Sequence, residues 1–298
     1  VYSGLLIILL PLIIGYLIPL SRKTLIQWIN RSLSWMVYVI LFFMGISLAF
    51  LENLSANLLL IFQYTSIFFL CILCANLLAL FLLERKIPWK HTHRQETLPS
   101  RLHMALESLK LCGVVIVGFL LGLSQWEWLQ FAAKGSELAL IFLLFLVGIQ
   151  LRNSGMTLRQ IVLNRRGTIV AFVVALSALV GGIIAAALLG LPIKTGLAMA
   201  SGFGWYSLSG ILLTDAFGPV IGSAAFFNDL ARELVAIMLI PTLVRSSRST
   251  ALGLCGATSM DFTLPVLQRS GGLEMVPAAI VHGFLLSLLA PILMAFFS

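Results

Sequence analysis

The chain has 298 residues, 60% of them hydrophobic and only 10% charged, with a mean hydropathy of +1.07. A soluble domain carries about 25% charged residues, so the composition excludes a soluble globular protein and fits an all-α polytopic membrane protein. The net charge of +8 does not point to nucleic acid, because the basic residues cluster in short loops between apolar runs and so report membrane orientation.

In chain order, the first stretch is apolar almost from Val1. It lacks a basic n-region and a small-residue cleavage site and reads as a span rather than a signal peptide. Spans are predicted near 3–20, 32–51, 57–83, 103–123, 136–151 and 168–190, each close to the ~20 residues a helix needs to cross a bilayer. Basic residues recur after every second span: Arg22, Lys23 and Arg31; then Arg85, Lys86, Lys90, Arg94 and Arg101; then Arg152, Arg159, Arg165 and Arg166. The positive-inside rule makes these loops cytoplasmic and the N-terminus periplasmic.

Beyond residue 190 simple alternation fails. Counting 194–213 and 250–267 as full crossings strands Arg245 and Arg248 outside. Treating both as re-entrant or broken-helix hairpins, the first entering from outside and the second from inside, returns those arginines and Arg269 to the cytoplasm. The prediction is about eight transmembrane helices, with the last two at 219–244 and 276–297, plus two opposed hairpins and both termini outside. Gly202, Gly204, Ser207, Ser209 and Gly210 crowd one hairpin, and Gly253, Gly256, Thr258 and Ser259 the other, with Pro265 following. Non-helical backbone at membrane depth survives only where protein or a water-filled cavity satisfies it. Tight helix packing is the competing explanation for such small residues.

An internal repeat lies at a constant offset of 103. Gly15, Leu17, Leu20 and Ser21 match Gly118, Leu120, Leu123 and Ser124, while Phe42, Gly45, Ile46 and Leu48 match Phe145, Gly148, Ile149 and Leu151. With three spans between the copies, the repeats are inverted in the membrane, a secondary-transporter pattern. The expected organisation is a three-span unit over 1–100 and a transport unit over 101–298 containing both hairpins, within one integral bundle.

The chemistry concentrates in the last third. Asp229 and Glu233 interrupt one apolar run and Asp261 another, and an ionised group at the bilayer centre costs roughly 2.5–3.5 kcal/mol even on insertion scales. Asp229 and Glu233 share one helix face. Arg232, an i,i+3 neighbour of Asp229, is its expected structural charge partner, which leaves Glu233 as the working acid. Two carboxylates sharing a low-dielectric site cannot both stay ionised, so one is expected to load a proton. The remaining polar groups are Asn228, Ser207, Ser209, Thr258 and Ser259. This set favours a cation, while exposed backbone N–H groups at hairpin helix ends suit a carboxylate. A basic amino acid satisfies both. His282 reads as a proton relay or a hydrogen-bonded core residue. Neither the cysteines (Cys71, Cys74, Cys112, Cys255) nor His91 and His93 form a convincing metal site, and no cofactor is expected.

The segments SGFGWYSLSGILL (201–213), FFNDLARE (226–233) and GATSMDFTLPVLQRSGG (256–272) resemble the bacterial lysine exporter family, LysO. The likeness extends through FFMGISLAF, LPSRLHMALESLKLCGVV and LLFLVGIQLRN over the whole chain. It implies an inner-membrane carrier, not an enzyme, that exports L-lysine and toxic analogues such as thialysine by proton exchange. Matched by motif, Glu233 and Asp261 are the implied functional acids. The expected partners are lysine, protons and membrane lipids, without nucleic acid; the sequence leaves oligomeric state open. Two other functions use buried acids: an inorganic-cation/proton exchanger and an intramembrane aspartyl protease. The protease lacks its G-x-G-D pattern, since Gly202-Phe-Gly204 runs into Trp205. A channel is less favoured, because an acid pair suits exchange.

Overall fold

A computed structural model describes residues 10–11, 13–50, 54–89, 101–153, 157, 159, 163–260, 263–272 and 275–298. Among the described residues every regular element is helical. After a helical stretch ending at Tyr16 come α1 (Lys23–Ala49), α2 (Leu54–Lys86), α3 (Arg101–Gly122), α4 (Ala132–Arg152) and α5 (Arg165–Leu189). Then follow α6 (Ile193–Ala200), α7 (Tyr206–Phe217), α8 (Pro219–Ser246), α9 (Arg248–Cys255), α10 (Leu264–Gly271) and α11 (Met275–Phe297). By length and composition α1, α2 from Ser55, α5 and α11 can cross a membrane. At 28 residues α8 is long enough as well, but it carries the charged turn.

The helix ends follow local signals. The Asn164 side chain caps α5 by accepting the Gly167 N–H at 2.9 Å. The same helix ends at Gly190, whose φ of +67° suits a residue without a Cβ. Gly218 and Pro219 start α8, and the Ser247 hydroxyl caps α9 by accepting from Thr250 N–H at 3.2 Å. Helix α1 begins at Lys23, well before the predicted 32, so Arg31 lies inside it. The basic run set the predicted boundary too late, because Lys and Arg are good helix formers.

The chain divides into two compact units, Val1–Leu60 with Ser108–Thr157 and Ile61–Glu107 with Leu158–Ser298. This division departs from the expected 1–100 and 101–298. Within the first unit α1 packs on α4, from the second copy of the repeat.

In the first unit, glycines let backbones touch. A Cβ at Gly15 would collide with the backbone of Phe145 and Ile149, and one at Gly118 with the backbone of Phe42 and Ile46. The second contact is the first with its members exchanged by the 103-residue offset. Ile29, Leu146 and Ile149 form one core cluster and Ile46, Leu129 and Ala132 another.

In the second unit, the contacts fix which end of the unit each helix reaches. Arg166, opening α5, donates to Ile87 O at 2.8 Å and Ser249 Oγ at 3.2 Å. Glu84, near the end of α2, accepts from Ser249 N–H at 3.0 Å and from Trp89 N–H at 2.8 Å. Gly167 packs on Ala278 and Val281 of α11. The end of α2, the start of α5, the α8–α9 junction and the start of α11 therefore share one end. At the other end, Lys194 at the start of α6 donates to Ser298 O at 2.6 Å. Helix α8 is about 42 Å long at 1.5 Å per residue, so the α7–α8 junction lies at this second end too.

The segment 193–217 thus leaves and returns to the second end, with a break at 201–205 between α6 and α7. The segment 248–271 leaves and returns to the first, with α9 and α10 on either side of its own break. Reciprocal packing of Gly182 and Gly196 seats α6 on α5.

Candidate functional site

The two breaks meet beside the middle of α8. Ala257 N–H, just past α9, donates to Phe203 O, just past α6, at 2.9 Å. Gly256, with φ +60°, sits so close that a Cβ there would run into Phe203 O. Phe203 itself is 1% exposed with φ +51°, a strained conformation for a non-glycine residue. Such strain persists only where surrounding contacts over-determine it, and here they come from both broken segments.

Helix α8 presents Asn228, Asp229, Arg232 and Glu233 at this level, all buried. The Asp229 Oδ1 accepts the Gly204 N–H at 3.1 Å, a donor just ahead of α7, and Asn228 Nδ2 donates to the same oxygen at 3.5 Å. Arg232 donates from Nε to Leu254 O at 3.2 Å and from Nη2 to Gly253 O at 2.8 Å. These carbonyls end α9. A short helix leaves N–H groups without partners at its start and carbonyls without partners at its end, and the macrodipole favours an anion at the first and a cation at the second. Asp229 and Arg232 meet both needs, pinning one broken segment each to α8. The hydrogen bonds of both side chains go to the broken segments rather than to each other.

The hydroxyls predicted for the site are placed around this junction. Ser207, Ser209, Thr258 and Ser259 are all buried. Ser209 Oγ donates to Tyr206 O at 3.3 Å, Thr258 Oγ1 to Cys255 O at 2.8 Å and Ser259 Oγ to Ala279 O at 2.8 Å. With their protons used on backbone, the Thr258 and Ser259 oxygens keep lone pairs that can accept, which suits a cationic ligand, while Ser209 also lies within reach of the Asp229 carboxylate. Gly202 brings backbone against Asp229 Oδ2 and lies beside Ser209. Glu233 is 2% exposed, one turn beyond Asp229. Asp261 lies outside the described residues.

His282 on α11 is fully buried and faces the backbone at Gly167 without a hydrogen bond of ordinary geometry. Asp215 is exposed near the end of α7, at the rim. A residue that sequence reasoning missed is Asn76 of α2, 1% exposed, whose Oδ1 accepts from Ser177 Oγ at 2.6 Å. It borders a cavity of about 10 Å³ together with Asn228, Asp229 and Arg232. A buried asparagine inside an apolar helix was its only signal.

The sequence pattern of the family described as "Lysine exporter LysO" matches residues 112–298, which include both broken segments and α8. The chain belongs to the lysine exporter LysO family. It is 72% identical over 297 residues to the "Lysine exporter LysO" of Escherichia coli, covering 100% of this chain and 99% of that protein. It is 49% identical over 189 residues to a "Putative lysine exporter" of Haemophilus influenzae, covering 63% of this chain and 97% of that protein. No solved structure matches the chain. Asn76 lies before the part matched by the family pattern, whereas Asn228, Asp229, Arg232, Glu233 and Asp261 lie within it.

Proposed function

We propose that this chain is a secondary carrier, not an enzyme, that exports L-lysine and analogues such as thialysine across the bacterial inner membrane in exchange for protons. The observation that carries the reading is the meeting of two broken-helix tips on a buried charged turn of α8, in a chain 72% identical to a protein named for lysine export. Discontinuous helices that converge near the midplane are how many secondary transporters place polar groups where lipid forbids them.

In this reading eight helices span the membrane: the stretch ending at Tyr16, α1, α2, α3, α4, α5, α8 and α11. The pairs α6–α7 and α9–α10 are re-entrant from opposite faces. The basic end, with Arg85, Arg166, Arg245 and Arg248, is cytoplasmic, and both termini are periplasmic. Return of each broken segment to its own end supports the hairpins, and the exchanged Gly15 and Gly118 contacts support inverted repeats.

Glu233 and Asp261 take the lysine ammonium and a proton in alternation, with Ser207, Ser209, Thr258, Ser259 and Asn228 as neutral acceptors. Backbone N–H groups at the broken-helix starts suit the carboxylate of lysine. The tips are closed here, so they must part for an amino acid to reach Glu233.

The test is efflux of labelled lysine from proteoliposomes with and without an imposed pH gradient, for the wild type, Glu233→Gln and Asp261→Asn. The gradient is expected to drive wild-type efflux and each substitution to abolish it in folded protein. Wild-type efflux by both variants would sink the acid pair. Efflux insensitive to competing sodium separates this carrier from an inorganic-cation exchanger.

A further inference from the structure

The cavity bordered by Asn76, Asn228, Asp229 and Arg232 has about 10 Å³ of space. One water needs roughly 10–15 Å³ by this measure, whereas cavities for small organic ligands run to about 300 Å³ or more. Lysine is therefore excluded and one water is admitted. Of the Asp229 carboxylate, Oδ1 holds the Gly204 N–H, while Oδ2 is buried against Gly202 and Ser209 without a hydrogen bond of ordinary geometry. The carboxylate is thus short of donors, and a buried charged acceptor left unsatisfied is costly, so a small guest on the cavity side completes it.

The chemistry of the wall chooses that guest. A metal cation would need several oxygen ligands and would face the Arg232 guanidinium across a space one water wide. A water has no such conflict: it can donate to the Asp229 carboxylate while accepting from an N–H of the wall. Asn76 is held in place by the Ser177 hydroxyl at 2.6 Å. The charged group acting on the carboxylate is Arg232 on its own helix, with Glu233 one turn on; the Cys255 thiol at the end of α9 and His282 on α11 face Arg232 instead. The broken segment α6–α7 adds the neutral Ser209, and α2 the neutral Asn76.

We propose that this cavity is a second proton site of the exporter: one water held against Asp229, Arg232 and Asn76 delivers a proton to the Asp229 carboxylate, one helical turn from Glu233. The step converts a hydronium and a carboxylate into water and a carboxylic acid. Neutralising Asp229 removes the charge assistance from its bond to Gly204 N–H, and charge-assisted bonds are roughly twice as strong as neutral ones. Proton uptake at this site therefore loosens the tip that closes over α8, which links the proton to the opening that lysine needs. The proposal rests on the reading of proton-coupled lysine export and adds a site to it.

The experiment measures proton and lysine flux together in proteoliposomes, with an internal pH dye and labelled lysine, for the wild type, Asp229→Asn and Asn76→Leu. Asn76→Leu fills the polar wall without touching α8, so it keeps the test open should Asp229→Asn fail to fold. The expected result is about one proton fewer moved per lysine in each variant. Lysine affinity at fixed pH in Asn76→Leu should stay within about twofold of wild type. An unchanged proton-to-lysine ratio in the folded variants overturns the proposal and leaves only a structural water. A wild-type flux that follows sodium instead of pH overturns it as well. A wild type that moves lysine with neither ion refutes the coupling reading itself, and this site with it.

Discussion

Replacing Gly256 by Ala tests the junction of the two broken segments. The residue has φ +60°, and a Cβ there would collide with Phe203 O, the acceptor of the Ala257 N–H. With ψ at −140° the residue lies in a region open almost only to glycine, which costs an L-residue about 1–3 kcal/mol, and losing the tip-to-tip hydrogen bond costs about 0.5–1.5 kcal/mol. Together the closed junction should weaken by about 1.5–4.5 kcal/mol, a shift of roughly 10- to 2,000-fold between closed and open tips. Cys255 is 2% exposed and adjacent to the substitution, so it reports opening directly. In a background with Cys71, Cys74 and Cys112 replaced, thiol labelling of Cys255 should accelerate by that factor. Gly190→Ala is the control, because its φ is +67° with nothing within 4 Å of the added Cβ. It carries the dihedral cost alone, far from the tips, and should leave Cys255 labelling unchanged. Equal labelling rates in wild type and Gly256→Ala would refute the claim that the two tips hold each other closed.

Three further outcomes follow from the packing. Arg232→Leu removes the side-chain donors of Gly253 O and Leu254 O, of which Gly253 O keeps the Gly256 N–H, and removes the charge beside Asp229, so it should destabilise the protein by about 3–5 kcal/mol in thermal unfolding. Arg232→Lys should lose less, because it keeps the charge but not the two-nitrogen fork. Gly15→Leu and Gly118→Leu insert side chains into equivalent backbone contacts, and should lower the unfolding temperature by similar amounts; a large inequality argues against the exchanged contacts. Single cysteines at the exposed positions Lys194 and Arg245 should be labelled from opposite sides of the membrane in intact cells, and labelling from one side contradicts opposed hairpins.

The two broken segments were legible because charge and composition agreed. Arg245, Arg248 and Arg269 had to return to one side, and glycine and serine crowded the segments that turn back. The breaks at 201–205 and after Cys255 fall inside the predicted 194–213 and 250–267. The offset of 103 anticipated a packing relation, since Gly15 and Gly118 make the same contacts with members exchanged.

What escaped was long-range. The i,i+3 spacing of Asp229 and Arg232 suggested a local pair, but a broken helix creates unpaired N–H and carbonyl groups that compete for both side chains. Nothing near Arg232 in sequence names Gly253 and Leu254 as acceptors. Asn76 was equally silent, because its significance comes from facing α8 across the bundle. The pairing of α1 with α4, about a hundred residues on, was silent for the same reason.

The central claim is that two broken helices close over a charged turn of α8 and must part for lysine to pass. Cysteines at Phe203 and Ala257, whose backbones are joined by a 2.9 Å hydrogen bond, test it most directly when lysine efflux is measured before oxidation, after oxidation and after reduction. The account predicts a disulfide that blocks export and full recovery on reduction. Failure of the pair to cross-link, or export that continues undiminished with the tips joined, would contradict it.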